Sequence, residues 1–184
     1  MIFNNPSDIC DFYINLILQE GDCAVDATAG NGHDTLKLSN AVGAEGKVYA
    51  FDIQQQAIDS AKGQPYLYDN VQFVTASHSR MDEYVVSTPK LVIFNLGYLP
   101  GGDHTLATKS DTTVEAISKA MELVCPDGVI ILVIYSGGDT GFDEKESVLN
   151  FARDINHKKF TTLHLDYINR PNNPPSVCVI QKKK

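Results

Sequence analysis

Several features that would place a protein in a membrane or an oxidising compartment are missing from this sequence. The chain of 184 residues contains no apolar run near the ~20 residues that a transmembrane helix requires. Its amino terminus has no basic segment followed by an apolar stretch, as a signal peptide would have. The four cysteines are far apart and form no C-x-x-C pair, and Cys23 and Cys178 lie in apolar segments typical of buried thiols. We therefore expect a cytoplasmic protein with no membrane partner.

Positive charge is scarce over most of the chain. The net charge is −8 at pH 7, which disfavours a nucleic-acid partner because Lys and Arg are needed to neutralise phosphate groups. Residues 158–184 are the exception, with six basic residues and one acidic residue. This segment is either a contact surface for an RNA backbone or an ordinary solvated edge, and the composition leaves both interpretations open. The histidines show no metal-ligand spacing, so we expect no metal site.

Strand-like and helix-like segments alternate along the sequence, which predicts one α/β domain over residues 1–184. Helices are expected near 7–19, with Ser7 as the N-cap, and near 33–42, 54–63, 111–124 and 143–156. Strands are expected near 22–27, 47–52, 70–75, 89–95, 128–135, 160–167 and 176–182. Several of these are continuous apolar runs, typical of parallel strands covered on both faces. The breaker-rich turn at 169–175 leaves no room for a long helix, so the last two strands should be antiparallel neighbours.

A glycine turn follows the first expected strand. Residues 26–35 read Asp-Ala-Thr-Ala-Gly-Asn-Gly-His-Asp-Thr, and the next strand ends on Asp52. Gly30 and Gly32 allow the backbone to approach a ligand closely, and the Asp52 carboxylate can accept hydrogen bonds from ribose hydroxyls. The pattern predicts a site for a nucleoside-bearing cofactor at the ends of these two strands.

The residues around the turn indicate which cofactor it binds. Thr35 stands where a dinucleotide-binding fingerprint has its third glycine. Asp26 and Asp34 flank the loop, and their negative charge would repel a pyrophosphate. S-adenosyl-L-methionine carries a sulfonium and an ammonium but no phosphate, so it fits these acids better. The simpler alternative for Asp34 is that it only stabilises the N-terminus of the helix.

The carboxyl ends of the first four expected strands should meet at one edge of the sheet, where ligands of such sheets bind. The third strand ends at His78, which either contacts the cofactor or is a partly buried histidine with a backbone partner. The fourth ends in Asn-Leu-Gly-Tyr-Leu-Pro-Gly-Gly-Asp, residues 95–103. In a methyltransferase this exit faces the sulfonium.

The residues after the fourth strand also indicate which group accepts the methyl group. Asn95, with Tyr98 three residues later, is similar to the Asn-Pro-Pro-Tyr motif of amino methyltransferases. The Asn95 side-chain oxygen would hold the hydrogens of an amine so that its lone pair points at the methyl carbon, and Tyr98 would stack on a planar base. Asp103 or His104 is a candidate for the group that removes the amine proton. The alternatives are a turn cap for Asn95 and a rim-packing aromatic for Tyr98.

Four motifs together resemble the small bacterial methylases described as rRNA methylases, a family associated with tRNA 5-(aminomethyl)-2-thiouridine methyltransferase activity. They lie at 26–35, at 95–103, at 112–117 (Thr-Thr-Val-Glu-Ala-Ile) and at 169–175 (Asn-Arg-Pro-Asn-Asn-Pro-Pro). The resemblance covers nearly the whole chain. It implies the class I methyltransferase fold, a Rossmann-like three-layer α/β sandwich whose mostly parallel seven-stranded sheet has the order 3-2-1-4-5-7-6 and an antiparallel last strand. It also implies S-adenosyl-L-methionine as the donor and the exocyclic amine of a tRNA wobble uridine as the acceptor.

The same resemblance assigns site residues. For the cofactor it implies Gly30, Asn31, Gly32, Asp34, Asp52, Gln54, Ser77 and His78, to which the turn pattern adds Asp26 and Thr35. For the acceptor it implies Asn95, Gly97, Tyr98 and Asp103. Two segments depart from the family pattern. Residues 135–141 lack an expected histidine, which removes the basis for an acid–base role there, and Arg170 replaces a glutamine and is a candidate phosphate contact.

The leading hypothesis is a tRNA amine methyltransferase that binds an anticodon stem-loop. A homodimer would give so small a domain more surface for RNA. One rival hypothesis keeps the donor but has rRNA or a small amine as acceptor, which the acidic composition suits. A nicotinamide-dependent oxidoreductase is a second rival, although Thr35 and Asp34 argue against it. A third is a cofactor-binding module that binds RNA without catalysis.

Overall fold

The fold is described by a computed structural model over residues 3–97, 108, 110–135 and 141–184, with the backbone alone described at 141–143. Three residues predicted to contribute to acceptor chemistry, Tyr98, Asp103 and His104, lie outside the described residues. Most of the segment that departs from the family pattern, residues 136–140, also lies outside them.

Helices and strands alternate in the described parts of the chain. The helices are α1 (Pro6–Ile17), α2 (His33–Val42), α3 (Gln55–Lys62), α4 (Ser110–Leu123) and α5 (Gly141–Asp154). The strands are β1 (Cys23–Asp26), β2 (Lys47–Asp52), β3 (Val71–Thr75), β4 (Leu91–Leu96), β5 (Val129–Ile134), β6 (Phe160–Leu165) and β7 (Ser176–Lys182). A short 3₁₀ helix, His78–Glu83, follows β3.

The strands form one sheet in the order β3-β2-β1-β4-β5-β7-β6. The first five strands pair in parallel, while β7 is antiparallel to both of its neighbours. The α/β class, the strand order and the antiparallel last strand predicted from the sequence are therefore confirmed. The strand order reverses between β1 and β4, so a crevice opens there at the carboxyl ends of the strands.

Helices cover both faces of the sheet, and the side-chain alternation of β2 shows how. Tyr49 and Phe51 point into the core shared with α4 and α5, whereas Val48 and Ala50 point to the opposite face, where α1, α2 and α3 pack. Both central strands, β4 and β5, are buried almost throughout, which explains their continuous apolar sequences. The result is the three-layer arrangement that the sequence predicted.

Local details differ from the prediction at two points. The predicted N-cap of the first helix, Ser7, is wrong: the side chain of Asn5 accepts from the Asp8 amide at 2.9 Å, and Asp8 accepts from the Asn5 amide at 3.2 Å. Pro6 suits the first helical position because its missing N–H would have no partner there. The 3₁₀ helix after β3 was not predicted, because six residues are too few to show a helical period.

The structure also shows the state of the cysteines and the lengths of the helices. All four cysteines are free thiols, and Cys23 and Cys178 are buried as predicted. Burial raises the pKa of Cys178 to about 11, so its thiol is neutral and unreactive near pH 7. None of the helices in the described ranges is long and apolar enough to cross a membrane.

Candidate functional site

The glycine turn between β1 and α2 packs too tightly for side chains. Gly30 and Gly32 both have positive φ, 51° and 82°, a conformation that glycine adopts without strain. A Cβ added to Gly32 would lie 2.7 Å from the Cα of Ala61 in α3. Gly32 therefore lets the turn pack directly on α3.

Asp52, at the end of β2, organises the other side of this turn. One carboxylate oxygen accepts from the Gly30 amide at 3.0 Å, and the other accepts from the Gln54 amide at 2.9 Å. Each carboxylate oxygen can accept a second hydrogen bond, so Asp52 is held in place and still has acceptor capacity for a ligand hydroxyl. Gln54 forms the N-cap of α3 through its backbone, with no hydrogen bond from its side chain to the helix end.

The turn stands on a buried carboxyl group. Asp26 is completely buried, accepts from the Thr35 hydroxyl at 2.6 Å and accepts from the Thr28 amide at 3.1 Å. Thr35 is also completely buried. Burial and the nearby charge of Asp34 raise the pKa of Asp26 to about 7. Both side chains lie beneath the turn and support it from inside, whereas the sequence predicted that Asp26 and Thr35 contact the cofactor.

Asp34, in the first turn of α2, connects the glycine turn to the exit of β4. One of its carboxylate oxygens accepts from the Asn95 side-chain amide at 2.9 Å. The other lies 3.1 Å from the Lys37 ammonium, which also pairs with Asp11 at 2.7 Å. Asp34 is thus more than the helix-end charge of the simpler alternative, since it binds a residue 61 positions away.

The contact with Asp34 fixes the orientation of the Asn95 side chain. A carboxylate can only accept, so Asn95 must present its NH₂ group to Asp34, and its carbonyl oxygen points elsewhere. The Asn95 backbone amide donates to the Thr28 hydroxyl at 2.7 Å, which locks the start of the β4 exit against the glycine turn. The amide oxygen therefore faces away from Asp34, and no described residue donates a hydrogen bond to it.

These elements enclose a cavity of about 590 Å³. Its walls are the glycine turn (28–31), the start of α2 with His33, Asp34 and Lys37, and the exit of β4 (95–97). Among the predicted cofactor residues, Gly30, Asn31 and Asp34 line it, and so does the predicted catalytic residue Asn95. The volume is in the range of ligand-binding clefts.

Sequence reasoning missed several residues of this cavity. Tyr135, directly after β5, is about half exposed, and its ring lies beside Gly97. Burial and the charge of Asp34 raise the pKa of Tyr135, so its hydroxyl is protonated near pH 7. Pro6 and Ser7 bring the start of α1 to the same cavity. The position of Tyr135 at the end of an expected strand could have identified it as a site residue. No local sequence signal indicated that Pro6 or Ser7 lies at the cavity.

The residues predicted to bind the cofactor at the end of β3, Ser77 and His78, make hydrogen bonds and packing contacts within the protein. His78 is 9% exposed and its Nδ1 lies 3.2 Å from the Ala27 carbonyl oxygen, while its ring packs edge-on against Phe94. Because a carbonyl only accepts, Nδ1 carries the proton, and burial lowers the pKa of the imidazole. The Ser77 hydroxyl caps the 3₁₀ helix by accepting from the Ser79 amide. The geometry of His78 matches the alternative of a buried histidine with a backbone partner.

The basic carboxyl-terminal segment is partly structural as well. The Lys182 ammonium donates to the backbone carbonyls of Met121, Glu122 and Val124, at the end of α4. Lys183 donates to the His157 carbonyl, and Arg170 stacks on the Tyr167 ring, 4.4 Å from its centroid. These contacts support the interpretation of an edge of the fold over that of an open RNA-binding patch.

The donor set of the site fits S-adenosyl-L-methionine. Gly32 allows the turn to pack closely on α3, and the Asp52 carboxylate can receive ribose hydroxyls. Asp34 supplies negative charge. The Lys37 ammonium is already paired with Asp34 and Asp11, so it offers little positive charge to a phosphate group. Within the described ranges, no three His, Cys, Asp or Glu side chains are grouped to hold a metal ion.

Comparison with known proteins gives relatives of the same architecture. A structure described as a "putative rRNA-methylase" from Clostridium thermocellum is 45% identical, with a TM-score of 0.94 over 97% of this chain and 98% of that chain. A "putative methyltransferase" from Streptococcus mutans, solved in complex with SAH, is 34% identical, with a TM-score of 0.88 over 97% of this chain and 98% of that one. The cofactor inferred from the glycine turn agrees with that complex.

A curated relative comes from Arabidopsis thaliana. The chloroplastic tRNA (mnm(5)s(2)U34)-methyltransferase is 36% identical over an alignment 183 residues long, and the alignment covers 91% of this chain. The chain spans 66% of the length of that relative. In addition, the family model described as "Putative rRNA methylase" matches residues 48–181, from β2 to β7. With the sheet order and the likeness to the solved structures, these matches show that the chain belongs to this rRNA methylase family and has the class I methyltransferase fold.

Proposed function

We propose that this protein is an S-adenosyl-L-methionine-dependent methyltransferase that methylates the exocyclic amine of 5-aminomethyl-(2-thio)uridine at the wobble position of tRNA. The observation that carries the proposal is the orientation of Asn95. Asp34 takes the Asn95 NH₂ group at 2.9 Å, which turns the amide oxygen away from Asp34, and this oxygen would accept a hydrogen from an amine.

The donor side of the reaction rests on the glycine turn. S-adenosyl-L-methionine supplies an electrophilic methyl group when bound. Asp52 would hold the ribose hydroxyls, the backbone of the turn would pack against the rest of the nucleoside, and Asp34 would provide negative charge for a cationic ligand. Gln54, Ser77 and Asn31 stay predicted contacts; Asn31 lines the cavity, and its carbonyl is anchored by the Gln64 side chain at 2.8 Å.

The acceptor side would be built around Asn95 and an aromatic face. Its amide oxygen would bind one amine hydrogen and leave the lone pair directed at the methyl carbon, so that positioning contributes most of the rate. Tyr135 lies at the same cavity and has the exposed ring needed to stack on a uracil base. Tyr98 and Asp103 keep their predicted roles in base stacking and proton removal. The nucleophile must be the neutral amine, so activity should rise with pH until the ammonium is deprotonated.

The tRNA specificity of the proposal is supported by the Arabidopsis relative, whose name specifies a wobble-uridine substrate. A second acceptor class, a small cationic amine, is favoured by a different observation. The net charge is −8, and Lys182 and Lys183 are engaged with backbone carbonyls, so RNA phosphates find fewer free cations than the composition suggests. We also propose that the protein binds an anticodon stem-loop and that the active form is a homodimer.

The test is methyl transfer from a labelled donor to defined acceptors. The purified protein is incubated with labelled S-adenosyl-L-methionine and tRNA whose wobble uridine carries the aminomethyl group, and the nucleosides are then separated by mass spectrometry. We expect one added methyl group on the aminomethyl nucleoside and none on tRNA that lacks it. Label on ribosomal RNA or on free amines, with none on this tRNA, would overturn the substrate assignment.

A further inference from the structure

The two ends of the segment between β4 and α4 are tied together. The Gly97 amide donates to the Thr108 hydroxyl at 2.9 Å, and the Thr108 amide donates to the Gly97 carbonyl at 2.9 Å. Residues 98–107 lie between them in the chain and include Tyr98 and Asp103, two residues predicted to act on the acceptor. The pair therefore links the exit of β4 to a residue shortly before α4.

A buried acid on a distant helix holds this pair in place. Glu144, in α5, is 4% exposed. One of its carboxylate oxygens accepts from the Thr108 hydroxyl at 2.7 Å, and the other accepts from the Thr113 hydroxyl at 2.7 Å. Thr113 lies in α4 and is completely buried. Burial of an acid is costly unless its oxygens are hydrogen-bonded, and here both of them are.

The direction of every hydrogen bond in this chain of contacts follows from the carboxylate. Because Glu144 only accepts, the single hydroxyl proton of Thr108 must point to it. The Thr108 oxygen is then left with lone pairs, which is the form that accepts from the Gly97 amide. A charged acceptor strengthens the bond that it receives and polarises the next one along.

We infer that Glu144 is a positioning residue for the acceptor site, which acts through Thr108 to hold Gly97 and with it the exit of β4. Gly97 is two residues from Asn95, and its backbone packs beside Tyr135, so a shift at Gly97 would move both sides of the acceptor cavity. The inference rests on the proposed function, because it concerns the site where the amine would bind. The carboxylate itself contacts neither substrate nor cofactor.

The two threonines provide a matched pair of variants. Thr108→Val and Thr113→Val each remove one hydroxyl that donates to Glu144 and keep the branched shape of the side chain. Thr108→Val breaks the connection to Gly97, whereas Thr113→Val only loosens α5 from α4. We expect Thr108→Val to lower kcat/KM for tRNA by about 10- to 100-fold, the loss typical of a hydrogen bond to a charged group. Thr113→Val should stay within about 2-fold of the parent enzyme well below its Tm.

Two further measurements separate positioning from general destabilisation. The Kd for S-adenosyl-L-methionine should change by less than about 2-fold in both variants, because the glycine turn is untouched. Glu144→Gln should keep most of the activity that Glu144→Ala loses, since its amide oxygen can still accept from Thr108. Equal losses of kcat/KM in Thr108→Val and Thr113→Val, or equal losses in Glu144→Gln and Glu144→Ala, would overturn the inference.

Amide hydrogen exchange tests the connection without any substrate. The Gly97 amide should exchange at least about 10-fold faster in Thr108→Val than in Thr113→Val, because only the first variant removes its acceptor. Unchanged Gly97 exchange in Thr108→Val would overturn the inference even if the parent enzyme methylates tRNA. A parent enzyme that methylates no RNA would overturn the proposed function instead, and the exchange result would still decide whether Glu144 holds Gly97.

Discussion

The glycine turn after β1 and the exit of β4 face the same cavity, but they are held in different ways. The turn is held by two nearby carboxyl groups that receive backbone amides, Asp26 from Thr28 and Asp52 from Gly30 and Gln54. The exit is held by side chains from distant elements. Asn95 is bound by Thr28 and Asp34, more than 60 residues away in the chain, and Thr108 is bound by Glu144 in α5.

This difference separates the two halves of the proposed reaction. A site built from glycines and from carboxylates that receive backbone amides depends on few side chains, which suits a cofactor shared by a whole fold class. A site held by side chains from several helices can be altered by one substitution, which suits an acceptor that differs among relatives. Substitutions in the turn should therefore affect cofactor binding and stability, whereas substitutions at the exit should affect turnover.

The largest effect is expected for Asp52→Ala. This change removes the acceptor of the Gly30 amide and the proposed acceptor of two ribose hydroxyls, so the Kd for S-adenosyl-L-methionine should rise by about 100- to 10,000-fold. Isothermal titration calorimetry measures it. Asp22→Ala is the control, because Asp22 also accepts a backbone amide, from Gln19, but lies before β1 at the other end of the strand. Equal affinity in the two variants would remove Asp52 from the cofactor site.

The next effect concerns the pH dependence of stability through Asp26. Its pKa is raised from 3.8 to about 7 in the folded protein, so the folded state binds this proton more tightly than the unfolded chain does. The contribution of Asp26 to the free energy of unfolding should therefore fall as the pH rises from about 3.8 to about 7, by at most about 4 kcal/mol, and stay constant above that range.

Asp26→Asn isolates this contribution, because an amide can accept from the Thr28 amide and donate to the Thr35 oxygen without titrating. The measurement is urea unfolding of both proteins from pH 4.5 to pH 8. As the pH rises, we expect the parent protein to lose stability relative to Asp26→Asn. A difference independent of pH would show that Asp26 titrates normally.

A smaller effect, on stability alone, is expected at two glycines with similar backbone conformations. Gly32 and Gly21 have φ of 82° and 88°, but only at Gly32 would a Cβ meet a neighbour, Ala61. Gly21→Ala should cost about 1 kcal/mol for the conformation, and Gly32→Ala should cost about 3 kcal/mol because overpacking is added. Denaturant titrations give both values, and equal costs would contradict the close packing of the turn on α3.

The smallest effect, and the one that should be confined to turnover, is expected for Asn95→Ala. It removes the proposed acceptor for the amine, so kcat should fall by about 10- to 100-fold in single-turnover assays. The Kd for S-adenosyl-L-methionine should change far less than kcat, because the turn and Asp52 remain and Asp34 loses only its hydrogen bond from Asn95. If cofactor binding fell as far as turnover, the distinction between the turn and the exit would fail.

Much of this organisation was visible in the amino-acid sequence. The apolar runs of β4 and β5, the glycines at 30 and 32, and the acid at 52 are local signals, and they predicted the sheet and the cofactor turn. The burial of Asp26 and Thr35 beneath the turn was not predicted, because sequence shows that an acid stands beside a turn but not whether it faces the ligand or the core. Tyr135 and Glu144 were missed because their importance depends on which distant residues they meet.

The sequence by itself determined the class of fold and the position of the glycine turn, because these depend on local periodicity and on residues with special backbone conformations. The strand order was expected only from the resemblance to the methylase family. Only the tertiary structure decided how the acceptor side is assembled. Asp34 orients Asn95 and Glu144 holds Thr108 through hydrogen bonds that span 61 and 36 positions of the chain. Such contacts exist only once the helices have packed on the sheet, and no spacing along the sequence specifies them.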